Sequence, residues 1–152
     1  MRGRLLAGSL LLALLFVASA CASARTHARE HLNRADRSDT LPFSHVVTAG
    51  DLVFVAGTLG VDPATGKPPA DAEQEVRFML DDVKAKLALA GLGMDDLVSV
   101  QVFCSDLALY DTFNRVYASY FAPGAFPARA FIGSGTLLRG CRFEILGTAS
   151  RR

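Results

Sequence analysis

Apolar residues cluster in short runs along most of this chain, and the spacing inside each run predicts its element. SHVVTAGDLVFVAG, from Ser44 to Gly57, is two apolar runs around Ala49-Gly50-Asp51 and predicts a β-hairpin. VDPATG, from Val61 to Gly66, is a turn with Pro63 presetting φ and Gly66 free to take a positive one. Val76, Met79, Leu80, Val83, Leu87 and Ala90 then recur at helical spacing, which predicts a helix from about Asp71 to Ala90. Asp71, Glu73 and Glu75 open that helix, and Lys84 and Lys86 lie near its end, as the helix dipole favours. Gly91 is its expected stop. Leu97 to Phe103 reads as a strand. Leu109 to Phe121 reads as a second helix with Phe113, Tyr117 and Phe121 on one stripe, ended by Pro123 and Gly124. Two last strands are expected around Ala128–Ser134 and Arg142–Ala149. The order is ββαβαββ, an α+β domain with a mixed sheet and two helices on one face.

The polarity of the strands adds a second expectation. Leu52 to Ala56 and Ala130 to Ile132 are apolar at every position, whereas a strand with one wet face alternates. Two helices cover one face of a sheet, so the other needs a cover, and a further copy of the chain is the simplest. Two charges interrupt these strands: Arg129 in FPARAFI and Glu144 in RFEI. A buried charge without a partner costs several kcal/mol. Either the two form a structural ion bridge, or they face a pocket that a ligand completes.

Composition bounds the function. The 152 residues are 51% hydrophobic and 20% charged, which fits one domain. Ten of the sixteen Lys and Arg, against twelve of the fifteen Asp and Glu, lie from Leu41 onward. That body is slightly acidic and has no basic run, which argues against nucleic acid as the main partner. The remaining basic residues crowd the start. Arg2 and Arg4 precede an apolar run from Leu5 to Val17, shorter than the ~20 residues a span needs, and Ala18-Ser19-Ala20 follows. Residues 1–20 are therefore expected to be a signal peptide and the protein to be exported, periplasmic or membrane-anchored. Cys21 after VASA resembles the lipidated cysteine of bacterial lipoproteins, although Ala18 stands where Leu is usual; ordinary cleavage near Ala24 is the competing outcome. Any membrane contact is expected only through that lipid. Residues 21–40 are polar and read as a tether, with His27 and His31 lacking a third ligand for a metal. Cys104 and Cys141 sit in apolar stretches and read as small buried hydrophobes. His45 reads as structural.

From about Leu41 to Arg152 the chain resembles the Rid/YjgF family of reactive-intermediate deaminases. The resemblance rests on VFVAGTLGVDPATG, LALAGLGMDDLVSVQVFCSDL, FNRVYASYF, and FPAR followed by RFEI, in that order and spacing. It implies a chorismate-mutase-like subunit, three of which close a barrel with clefts between subunits. It implies hydrolysis of small 2-imino and 2-enamino acids to 2-oxo acids and ammonia, with no cofactor or metal. Arg129 falls on the family's carboxylate-binding arginine, a planar fork suited to a planar carboxylate. Glu144 falls on the acidic residue credited with handling the attacking water. Asn114 matches a polar residue near the cleft, and Ala56 and Gly57 match a Ser-Gly pair lining it. Phe43 stands where a Tyr is usual. Ala130 and Phe131 replace a small polar pair, and Phe131, two residues from Arg129, shares its strand face. The site is thus expected to be drier than the family pattern. A binding protein that kept the cleft without the chemistry, and a structural or chaperone-like trimer, are the alternatives.

Overall fold

The computed structural model describes residues 28–151, so the expected signal segment, Cys21 and His27 lie outside the described residues. Six strands and two helices follow one another: β1 (Glu30–Leu32), β2 (Val46–Ala49), β3 (Leu52–Leu59), α1 (Ala72–Leu89), β4 (Leu97–Cys104), α2 (Tyr110–Ala118), β5 (Ala128–Gly133) and β6 (Phe143–Ser150). They form one sheet in the order β1-β2-β3-β6-β4-β5. β4 and β5 pair in parallel, and every other neighbouring pair is antiparallel. The last strand therefore inserts between β3 and β4, and the crossovers through α1 and α2 lay both helices on one face.

Local chemistry sets the helix ends. The Asp71 carboxylate accepts from the Glu73 N–H at 3.0 Å, capping α1. At its other end Gly91 takes φ +75°, a left-handed conformation that costs a side-chain-bearing residue and little in glycine. α2 ends earlier than its apolar stripe predicts. Ser119, Tyr120 and Phe121 bond back three residues to Val116, Tyr117 and Ala118, so the last turn tightens before Pro123. Between helices and sheet lie Met79, Leu80 and Leu87 of α1, Phe113 of α2, and Phe143 and Ile145 of β6, all fully buried.

The segment expected to be a tether is folded from residue 28 onward. β1 pairs with β2 through Glu30 opposite Thr48 and Leu32 opposite Val46. An edge strand buries one side only, which is why its sequence looks polar. Beyond it, Arg37 donates to the carbonyls of Leu41 and Phe43 and to Asn33 Oδ1, and Arg34 ties down to Asp82 on α1 at 2.9 Å. Hydrogen bonds rather than apolar burial order this arm.

The opposite sheet face is apolar, as the strand pattern predicts. In β3, Val53 and Val55 point to the helices, while Leu52 and Phe54 stand 43% exposed on the other side. Val98 and Ile132 extend the same face, 47% and 37% exposed. Among the described residues no helix covers it. Cys104 and Cys141 are buried free thiols, both raised in pKa by burial.

Candidate active site

Arg129 lies in β5 opposite Val100 of β4. Val100 points into the core, so Arg129 faces α2. Its Nη2 donates to Asn114 Oδ1 at 2.8 Å. Its Cζ lies 4.8 Å from the Tyr117 ring centroid and 5.7 to 5.9 Å from those of Phe113, Phe131 and Tyr110. Four rings thus surround one guanidinium, an arrangement worth about 0.5–2 kcal/mol per well-placed ring when water is excluded. Phe131 does share the strand face of Arg129, as its spacing predicts. It packs edge-on against Tyr110 and Phe113 and supports the arginine. The arginine opens on a cavity of about 460 Å³ lined by Asn114, Tyr117, Ala118, Phe126 and Pro127.

Glu144 lies in β6 opposite Phe103 of β4 and Leu59 of β3. Phe103 and Val100 have opposite parity in β4, so Glu144 and Arg129 point to opposite faces of the sheet. A bulge between Val55 and Thr58 turns Ala56 and Gly57 toward Glu144. The approach is so close that a Cβ on Gly57 would fall on Glu144 Oε1, and only glycine leaves that space. Glu144 opens on a second cavity, about 540 Å³, with Phe43, His45, Ala56, Gly57 and Leu138 among its walls. The folded arm builds one of these walls. Arg37 stacks 4.7 Å over the Phe43 ring while holding the Phe43 carbonyl at 2.7 Å. His45 meets Phe43 edge-on at 5.8 Å, and its Nδ1 accepts the Arg34 N–H at 3.2 Å. Burial, then the nearby Lys86 charge, lowers the His45 pKa, so the ring is neutral at pH 7.

The expected site residues therefore fall into two groups. Asn114 and Phe131 accompany Arg129; Phe43, Ala56 and Gly57 accompany Glu144. The structure removes one reading of the two charges: Arg129 and Glu144 form no ion bridge within the chain, because the sheet separates them. Neither has an ion partner among the described residues.

Two ionisable groups that the sequence places near the ends of α1 are buried. Glu75 is 0% exposed and accepts from the backbone N–H groups of Arg142 and Phe143 and from Arg142 Nε at 2.6 Å. Arg142 also donates to the carbonyls of Pro69 and Ala70. This clamp fixes the start of β6, two residues before Glu144. Lys86 Nζ donates to Thr58 Oγ1 at 2.8 Å and faces Asp82 at 3.1 Å. Thr58 Oγ1 in turn donates to the Ala56 carbonyl at 2.9 Å, pinning the bulge that carries Gly57. Burial lowers the Lys86 pKa, opposed by Asp82. A signal for both existed: Glu75 is four residues before Met79 and Lys86 three after Val83, so each falls on the apolar stripe.

A family model described as Endoribonuclease L-PSP matches residues 35–151. The chain belongs to this family, the Rid/YjgF proteins. The 2-iminobutanoate/2-iminopropanoate deaminase of Escherichia coli K12 is 35% identical over 113 residues, covering 73% of this chain and 88% of that protein. The crystal structure of the E. coli YjgF gene product superposes with a TM-score of 0.74 at 32% identity, covering 81% of this chain and 99% of that one. E. coli TdcF with bound serine gives a TM-score of 0.74 at 30% identity, covering 81% and 98%. The α+β fold with two helices on one face of a mixed sheet is thus the Rid fold, and relatives of this chain are named as deaminases.

Proposed function

We propose that this protein hydrolyses reactive 2-imino and 2-enamino acids to 2-oxo acids and ammonia, in clefts formed between copies of the chain in a homotrimer. The observation that carries this reading is the pair of incomplete half-sites on opposite sheet faces. A guanidinium without an ion partner and a carboxylate without one each open on a cavity, and a neighbouring copy brings one of each together. The deaminase name of the E. coli relative and the serine bound by TdcF, itself an amino acid with a carboxylate, support the same substrate class.

In this mechanism the Arg129 fork holds the substrate carboxylate, with Asn114 fixing the guanidinium plane. Glu144 of the adjoining copy accepts a proton from water as its oxygen bonds to the C=N carbon and the C=N π pair moves to nitrogen. Glu144 passes that proton to the nitrogen, giving a neutral tetrahedral carbinolamine. It then takes the carbinolamine's hydroxyl proton as the C=O bond forms and delivers it to the nitrogen, so that the C–N bond breaks and ammonia leaves. General base assistance of this kind is worth about 10²–10⁴ in rate. The imine carbon is already electrophilic. Phe43, Leu138 and the rings around Arg129 keep the cleft apolar, which strengthens each charge inside it.

The expected export signal and lipidated Cys21 complete the proposal: a mature trimer anchored outside the cytoplasm. Mass spectrometry of the native N-terminus checks this, and an unmodified chain beginning at Arg25 refutes it.

The decisive experiment is ammonia release from freshly generated 2-iminopropanoate and from imino acids with larger apolar side chains. Arg129→Ala is expected to abolish hydrolysis. Glu144→Gln is expected to lower turnover more than affinity. Glu144→Gln should keep the wild-type melting temperature, since it breaks no ion pair within the chain, whereas Arg129→Ala should lower it by removing the contacts with four rings and the bond to Asn114. Wild-type protein that never exceeds the spontaneous rate gives first place to a carboxylate-binding role without chemistry.

A further inference from the structure

Tyr117, which lines the cavity of Arg129, carries a buried and unpaired hydroxyl. The residue is 4% exposed, and its hydroxyl oxygen is buried with no hydrogen-bond partner among the described residues. No other side-chain N or O among them is both buried and unpaired. A hydroxyl taken from water and left unbonded costs folding free energy, and native proteins keep few such groups. The rest of the side chain is firmly held. Its ring stacks on Phe113 at 5.4 Å and packs on Phe121 at 4.8 Å, and the Arg129 guanidinium lies 4.8 Å from its centroid. The Tyr117 side chain is thus fixed in place while its one polar atom is left unused. The same side chain lines the cavity with Asn114 and Arg129. Burial pushes its pKa up to about 12 despite the Arg129 charge, so it remains an O–H donor across the working pH range.

We propose that the Tyr117 hydroxyl is a further substrate-binding residue, donating to the carboxylate that Arg129 holds. This rests on the reading of Arg129 as the carboxylate anchor. Asn114 uses its Oδ1 on Arg129, which leaves its amide N–H groups as further donors on a residue that lines the cavity. The guanidinium fork, the phenol and the amide then form a donor set matched to an anion with several lone pairs. The phenol adds what the pocket's apolar walls lack, a neutral donor that needs no counter-charge. A carboxylate ligand supplies the acceptor that the folded chain does not.

The test uses 2-oxobutanoate, a stable carboxylate of the product class, as the calorimetric probe on the intact protein. Tyr117→Phe removes one oxygen and keeps the ring. Its melting temperature is expected to stay level or rise, because an unpaired buried hydroxyl is gone. Its affinity for 2-oxobutanoate, and its KM for imino acids, are expected to worsen about tenfold, the loss of one charge-assisted hydrogen bond. In an Arg129→Ala background the same change should add little, since both groups serve one carboxylate. Unchanged affinity in Tyr117→Phe overturns the inference. So does a lower melting temperature with unchanged affinity, which marks a hydroxyl bound to structural water. Wild-type protein that binds 2-oxobutanoate but releases no ammonia leaves this inference standing and sinks the enzymatic reading. Wild-type protein that deaminates, with KM unmoved in Tyr117→Phe, does the reverse. Wild-type protein that shows neither binding nor hydrolysis overturns both.

Discussion

Gly57 and Glu144 show how much of the candidate site hangs on single atoms. Gly57 does not take a positive φ, so its backbone suits any residue. What it supplies is space, because a Cβ there collides with the end of the Glu144 side chain. Gly57→Ala therefore tests the placement of the carboxylate and little else. The flexible glutamate moves aside and the fold survives. Turnover is expected to fall about tenfold or more, since general base catalysis requires hydrogen-bond reach of the attacking water. KM and the melting temperature should change little. Steady-state kinetics beside a thermal melt checks this. A Gly57→Ala variant with wild-type turnover would show that Glu144 does not act from the position it holds against β3.

At the scale of elements, α1 carries the sharpest contrast between stability and function. Glu75 and Lys86 both lie on its buried stripe, yet their substitution should act in opposite directions. Glu75→Gln keeps an acceptor for the two backbone N–H groups but leaves Arg142 without its counter-charge. A loss of roughly 2–3 kcal/mol is expected, discounted because Arg142 is 26% exposed. Lys86→Met removes a desolvated cation and leaves Asp82 paired with Arg34, so stability should hold or rise. The sign with pH follows from linkage. The folded-state pKa of Lys86 is lowered, so above it the unfolded chain binds more protons, and wild-type stability climbs as pH rises toward the ordinary lysine value. Any advantage of Lys86→Met over wild type should thus shrink across the alkaline range, as urea melts at neutral and alkaline pH would show. The same helix marks what its sequence makes legible. Val76, Met79, Leu80, Val83 and Leu87 have no polar alternative, so the 3.6-residue period places the helix to within a residue of Ala72–Leu89. Glu75 and Lys86 fit two accounts, the dipole and the stripe, and only the distant partners Arg142, Thr58 and Asp82 decide between them. The arm before Leu41 was illegible for a related reason. Its order comes from Arg34 and Arg37 bonding to carbonyls and carboxylates, which leaves no apolar period. Arg129 and Glu144 were legible as a pair needing a partner, but not as residues on opposite faces, because β6 inserts beside β4 through contacts far apart in sequence.

For the whole molecule, the apolar face formed by Leu52, Phe54, Val98 and Ile132 and the two separated half-sites lead to one assembly. In the proposed trimer, a closed ring of copies covers the face and places Arg129 of one beside Glu144 of the next. Light scattering is expected to give a trimer. Phe54→Lys puts a charge at the middle of the covered face, and should yield a monomer that keeps its circular dichroism and loses hydrolysis. Subunit mixing is the stricter test, because it separates assembly from site sharing. Arg129→Ala and Glu144→Gln trimers are each expected to be inactive. If every cleft takes its arginine from one copy and its glutamate from the next, any trimer containing both variants holds one intact cleft. Co-expressing the two in equal amounts should then restore roughly a quarter of wild-type activity under random closure of the ring. If both residues served one cleft from the same chain, no mixture would recover any activity. A mixture that remains inactive, although native mass spectrometry shows mixed trimers, would therefore overturn the shared cleft while leaving the trimer in place.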